Sequence, residues 1–192
     1  MKKFLASALM LLAASTTTFA QNAVGSFSLQ PKAGISIADM TDIQGTTSRI
    51  GFVGGLEGEY QASDIFSLSL GVNYSQEGFK MKNSDNKIKL DYINVPILAN
   101  VYLTKGLAVK VGVQPGFNVG NSVTVDGNTT SSSKKDSDGI KSVALSIPVG
   151  LSYEISNVVL DARYNWGVTK AFDGLDSKNS VFQVTIGYKF QL

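Results

Sequence analysis

The side chains available for chemistry in this 192-residue chain are set first by two absences: it contains no histidine and no cysteine. A Ser–His or Cys–His nucleophile is therefore impossible, and so are the usual zinc sites. What remains are carboxylates at short spacing. Glu57 and Glu59 are two residues apart, as are Asp161 and Arg163. In a strand, residues two apart share a face, so each pair points the same way. Such pairs can do acid–base or ion-path chemistry, or form a structural salt-bridge network. The segments Asp126-Gly127-Asn128 and Asp136-Ser137-Asp138-Gly139 lack the full ligand spacing of a calcium loop. The sequence thus yields no catalytic set, no metal set and no cofactor site, and the chain reads as a non-enzyme.

The elements that must position these residues are strands. From Val181 to Leu192, Phe182, Val184, Ile186, Tyr188 and Phe190 fall on one face, and Gln183, Thr185, Gly187, Lys189 and Gln191 on the other. The same alternation recurs over about 27–38, 49–61, 65–77, 88–103, 107–119, 142–155 and 158–169, which predicts eight strands. Pro31 cannot donate to a ladder and predicts a bulge or a strand end. In the fourth strand the apolar residues change parity between Tyr92 and Ile93, which predicts a β-bulge near Tyr92. The connections alternate long and short. The short ones lie at Ala62-Ser63-Asp64, Thr104-Lys105-Gly106 and Ser156-Asn157. The longest, about 120–141, is small, charged and Gly-containing, and predicts a mobile loop. Long–short alternation is the habit of an up-and-down membrane barrel with tight periplasmic turns and longer outer loops.

The first twenty residues read as a secretory signal. Lys2 and Lys3 form the charged segment, Phe4 to Ala14 the apolar one, and Thr18-Phe19-Ala20 a cleavage site, leaving a barrel domain over 21–192. Removal of Lys2 and Lys3 leaves 15 basic residues against 15 acidic, so the net +2 of the whole chain is no argument for nucleic acid. Beyond the signal no stretch reaches the apolar length of a spanning helix, about 18 residues or more. The remaining way across a bilayer is a closed barrel.

Alternation does not say which face is outside, because a soluble lipocalin-type barrel would put the apolar face inward. Three features favour the reverse. The polar face is rich in Gly, Ser, Ala, Asn and Gln. Its charges interleave in sign: Lys32, Lys110, Arg163 and Lys189 against Glu57, Glu59, Glu77, Glu154 and Asp161, as a paired lumen network requires. Aromatics recur near strand ends, with Tyr60, Phe66, Tyr153, Tyr188 and Phe190 toward the short turns and Tyr74, Phe117, Trp166 and Phe182 toward the long loops. Two such girdles mark the interfaces of a membrane barrel.

Three segments carry a resemblance: Leu90-Asp91-Tyr92-Ile93-Asn94-Val95-Pro96-Ile97, Gly112-Val113-Gln114-Pro115-Gly116, and the ending Ile186-Gly187-Tyr188-Lys189-Phe190, with Phe19-Ala20-Gln21 at the junction. Over about residues 24–190 the chain resembles the small porin-family outer-membrane β-barrel proteins of Bacteroidetes type. Gln191 and Leu192 follow the Phe at which that family often stops. The resemblance implies an eight-stranded barrel in the outer membrane and no shared activity.

The expected fold is all-β, an eight-stranded antiparallel up-and-down transmembrane β-barrel behind an N-terminal signal peptide. The expected role is structural or surface-interacting, without a wide pore. A narrow channel for small solutes and a soluble exported barrel with an apolar ligand are the alternatives. Expected partners are outer-membrane lipids, lipopolysaccharide and the barrel assembly machinery. Lys80, Lys82, Lys87, Lys89, Lys134, Lys135, Lys141, Lys170 and Lys178 could meet lipopolysaccharide phosphates or serve as ordinary solvated loop charge.

Overall fold

The computed structural model describes residues 23–40, 46–81, 86–125, 128–132, 142–170 and 178–192. The signal sequence expected over 1–20 and most of the expected outer-loop residues lie outside them. The described elements are β1 (Phe27–Met40), β2 (Thr46–Ser63), β3 (Phe66–Met81), β4 (Lys87–Asn94), β5 (Ile97–Thr104), β6 (Leu107–Val125), β7 (Asn128–Ser132), β8 (Val143–Ile155), β9 (Val158–Lys170), β10 (Lys178–Tyr188) and β11 (Phe190–Gln191).

Every wall pairs antiparallel with the next. β4 and β5 are two halves of one wall, interrupted at Val95-Pro96, and β10 and β11 are two halves of the last. That wall returns to the first: Lys32 lies opposite Gly187, Met40 opposite Asn179, and Leu29 opposite Phe190. The ring closes with eight walls, an antiparallel up-and-down barrel without a free edge around its circumference. The single-element walls run from 13 to 19 residues, where about 9–11 suffice to cross a hydrocarbon core at a tilt.

The short connections are two-residue turns at Asp64-Ile65, Lys105-Gly106 and Ser156-Asn157. Gly106 has φ +90°, and Ser156 accepts φ +57°, the left-handed geometry that lets a two-residue turn follow strand twist. The first wall begins and the last ends at the same rim as these turns.

Burial alternates along each wall as a membrane barrel demands. Leu68, Leu70 and Val72 are exposed, while Ser67, Ser69 and Asn73 between them are buried. Leu70 is 58% exposed and Trp166 62%. In water such a continuous apolar belt would be far larger than any patch a soluble protein carries. Against hydrocarbon it is the stable arrangement.

Three local expectations are corrected. Pro31 neither bulges nor ends β1, which pairs with β2 in unbroken register from Phe27 to Ala38. Its missing donor shows on the other neighbour. The Phe27 carbonyl, on the same edge as Pro31, accepts from Leu192 N–H at 2.9 Å, and at the level of Pro31 the last wall splits into β10 and β11. The irregularity near Tyr92 is real but lies on β6: Asp91 faces Gly120 and Tyr92 faces Asn118, so the extra residue is Val119. β4 keeps its phase, with Leu90, Tyr92 and Asn94 all inward. The parity of its apolar residues changes because the outer lumen is itself apolar, where Met40, Phe79, Leu90 and Tyr92 form a small core beside Ile88 and Ala144. Finally, the 120–141 connection is not wholly loop. β6 continues to Val125 and pairs with β7; residues 126–127 and 133–141 lie outside the described set.

The outward face gives a direct test. Leu70→Arg, at mid-belt, is expected to destabilise the barrel in phospholipid vesicles by about 2–4 kcal/mol in urea titrations, and Leu70→Phe to change it little. Equal stability of the arginine variant would mean the face is not against lipid.

Candidate functional site

The polar residues of the inward face stack into layers. The layer nearest the short turns is centred on Glu59. Lys189 Nζ reaches Glu59 at 3.1 Å and Glu154 at 2.7 Å. Glu59 also accepts from Ser67 Oγ at 2.5 Å and from the Tyr102 hydroxyl. Asn100 donates to Ser67 at 3.0 Å. The Lys189 main chain, at the break between β10 and β11, is held by Asn157: Lys189 N–H donates to its carbonyl at 2.7 Å, and Asn157 Nδ2 donates to the Lys189 carbonyl at 2.9 Å. One turn residue thereby fixes the residue that links two carboxylates.

The middle layer holds five charged side chains from β1, β2, β6 and β9. Glu57, 1% exposed, receives Lys32, Lys110 at 2.9 Å and Arg163 at 3.4 Å. Asp161 receives Arg163 at 2.8 Å and Lys110 at 3.2 Å. Two carboxylates thus face three cations. Register brings them to one height: Lys32 lies opposite Gly55, Gln30 opposite Glu57, and Lys110 opposite Gly150, itself opposite Arg163. Glycines clear the space. A Cβ on Gly55 would sit 2.2 Å from the Val72 carbonyl oxygen and 2.4 Å from Asn73 Oδ1, so no larger residue fits that close approach.

The upper layer is made of amides. Asn94 Nδ2 and Asn179 Nδ2 donate to Glu77 at 3.1 and 2.9 Å, and Gln183 donates to Ser75 at 3.1 Å. Glu77 therefore stands outside the ion-pair network: among the described residues its carboxylate is held by amides. Arg49, which sequence reasoning did not single out, donates to the main-chain carbonyl of Glu77. Tyr92 and Tyr102 also point inward. Tyr102 could have been placed from its parity with Asn100, Leu98 and Asn94. Arg49 lies opposite the buried Ala38 in unbroken register and shares the odd parity of Val53, Glu57 and Glu59, so parity could have placed it too.

The nine aromatics assigned to the two girdles lie on the outward face of their walls. Tyr60, Tyr74, Phe117, Trp166, Phe182, Tyr188 and Phe190 are exposed, and Phe66 and Tyr153 half-buried. Tyr188 and Phe190 pack at 4.8 Å between ring centres. Phe27, Phe52 and Tyr164 join them.

Chemically, the lower and middle layers are a set of charges paired with one another, and Glu77 lies above them with neutral partners. No cluster of three or more potential metal-ligating side chains occurs among the described residues.

The family model described as "Outer membrane protein beta-barrel domain" matches residues 19–173. Among solved structures, the chain is similar to Ail, the attachment invasion locus protein of Yersinia pestis, in complex with the heparin analogue sucrose octasulfate: 18% identity, TM-score 0.56, over 88% of this chain and 100% of that one. It is also similar to Neisserial surface protein A, at 20% identity and TM-score 0.58, over 85% of this chain and 97% of that one. At these identities the likeness concerns the fold. No curated protein is matched at the level of sequence.

Glu57 is the junction of the network. Glu57→Ala leaves Lys32, Lys110 and Arg163 to share Asp161 alone, and is expected to destabilise the refolded barrel by about 3–5 kcal/mol. Glu154→Ala, at the more open rim, is expected to cost under about 1 kcal/mol. Urea unfolding of the two variants in detergent checks the order; a Glu154 effect equal to that of Glu57 would contradict it.

Proposed function

This chain belongs to the outer membrane protein beta-barrel domain family, and from that premise we propose that it acts as a closed, non-enzymatic membrane barrel whose interactions are made at its outer rim and not through its lumen. The observation that carries this is the middle layer: Glu57, Lys110, Asp161 and Arg163 are each no more than 3% exposed and bridge β2, β6 and β9 across the barrel. Eight strands enclose an interior that side chains can fill, and here charges from across the ring fill it. A wide diffusion path would require opening several buried ion pairs at once, each expensive to leave uncompensated. The N-terminal twenty residues are part of this reading as its export signal, and the assembly machinery of the outer membrane as the partner that inserts the barrel.

Planar-bilayer recording tests the lumen. The refolded protein is expected to show no porin-sized conductance while migrating faster unboiled than boiled on SDS gels. Frequent large openings in a preparation with that mobility shift would replace this reading with a channel.

The rim suggests a lipid partner. Lys80 on β3 lies directly opposite Lys87 on β4, and Lys89 follows on the same outward face. Like charges directly opposite destabilise a sheet, and among the described residues none of the three has a carboxylate partner. They stand above the girdle residues Tyr74 and Phe117, at headgroup height. Phosphates of lipopolysaccharide at that height would offset the repulsion. In Ail, the related fold is seen with a polysulfated sugar, an anion of comparable charge density. Lys80→Gln with Lys87→Gln is expected to weaken lipopolysaccharide binding about five-fold per lysine, from roughly 1 kcal/mol each, with stability kept or improved. Unchanged binding would leave these lysines as solvated charge.

A further inference from the structure

We propose that the upper lumen is a binding site for one small monovalent cation, held by Glu77 with the side-chain amides of Asn165 and Gln114. Three observations meet there. First, Glu77 is a buried carboxylate, 5% exposed, whose described partners are all neutral: the amides of Asn94 and Asn179 and the hydroxyl of Ser75. Every other acidic residue assigned to the lumen from the sequence is in an ion pair: Glu57, Glu59, Glu154 and Asp161. Arg49 does not repair the imbalance, because it donates to the main-chain carbonyl of Glu77. A buried carboxylate without a countercharge is among the most expensive groups in a protein interior.

Secondly, two amides beside it have free oxygens. Asn165 is 2% exposed, and neither its Oδ1 nor its Nδ2 has a protein partner. Gln114, 4% exposed, donates through Nε2 to Ser146 Oγ at 3.4 Å, while its Oε1 has no donor. Thirdly, Glu77, Gln114 and Asn165 line the same small cavity, about 20 Å³ in volume, together with Tyr92 and Asn179. That volume suits a single water-sized guest.

A water could satisfy the amides but would leave the charge. A cation would satisfy the charge and both amide oxygens. The charge present is one carboxylate with neutral oxygens around it, which fits a monovalent ion; calcium takes six to eight oxygens, usually from several carboxylates. The site is isolated from the ion pairs below, and above it lies the apolar core of Met40, Phe79, Leu90 and Tyr92, which keeps bulk water from competing.

The test uses the full barrel refolded in detergent, melted in potassium, sodium, rubidium or N-methyl-D-glucamine chloride at equal ionic strength. The midpoint is expected to rise by at least about 2 °C in one of the alkali salts over the organic cation, since an ion that binds only the folded state stabilises it by mass action. Glu77→Gln is expected to abolish the difference and Asn165→Leu to reduce it. Equal midpoints in all four salts would overturn the proposal, with Glu77 then carrying a proton; a salt difference surviving in both variants would place the ion elsewhere and overturn it too. Rubidium-soaked crystals of the unaltered protein decide the matter without any variant: an anomalous peak between Glu77 and Asn165 supports the site, and none there overturns it.

Discussion

Everything in this molecule follows from one constraint: hydrocarbon offers no hydrogen bonds, so each backbone N–H and C=O across the membrane must find its partner in the next strand. A sheet with an edge cannot meet that demand, and a ring can. The closure of β1 on β10 and β11 is therefore the decisive contact. It keeps one register along its length but carries a break, because Pro31 has no donor to give. The chain manages this by confining the defect to one step. Lys189, at the break, takes its main-chain bonds from Asn157 on the other side, and the seam resumes at Phe190 opposite Leu29. Lys189 is thus tied by its backbone to a turn and by its side chain to Glu59 and Glu154. The seam and the lowest lumen layer are stabilised by the same residue.

The closed ring then dictates its contents. An eight-walled barrel has a lumen too narrow for bulk water and lined by every second residue of every wall. Those residues could have been apolar throughout. In this chain they are polar over most of the height, with single apolar residues such as Leu98, Ala108 and Val159 among them, and apolar as a cluster at the outer end, where Met40, Phe79, Leu90 and Tyr92 pack together. Polar filling is tolerable only when each group is satisfied. The middle layer achieves this by sharing, with Glu57 taking three cations and Asp161 two of the same three. Such sharing couples walls that are not neighbours, β2 to β6 and β9, which the backbone ladder alone cannot do.

Most of the walls were legible in the sequence because membrane barrels write a period of two in both directions at once: every outward residue must suit lipid and every inward one must suit its neighbours. Val181 to Phe190 shows this along its whole length. The signal fails where one of those demands lapses. Above the belt, β7 is Asn128-Thr129-Thr130-Ser131-Ser132, with no apolar residue to alternate, so its composition reads as loop. In β4 the reverse occurs. Leu90 and Tyr92 are apolar and inward, so the hydrophobic pattern changes parity while the backbone does not, and a bulge on the neighbouring strand is read onto the wrong one. The charged lumen residues could be named from parity and sign. Their partners could not, because pairing across a barrel depends on the stagger between walls, as Glu57 with Lys110 and Arg163 shows. Arg49 carries the same inward parity as Val53 and Glu57 and was legible in the same way.

The distribution of satisfied and unsatisfied groups separates what holds the barrel together from what it can do. Below and at mid-height the lumen charges are balanced against one another and so have little free energy left to offer a guest. At the outer end that balance stops. Glu77 has amides where the layers below have lysine or arginine, Asn165 has no protein partner, and Lys80, Lys87 and Lys89 crowd one outward face. Among the described residues none of these meets an opposite charge, and on the readings proposed above each would gain from an added partner, a cation for the first two and an anionic headgroup for the lysines. An interior that must be full to fold, beneath a rim whose described residues are unbalanced in charge, is the ground on which recognition is proposed at the rim.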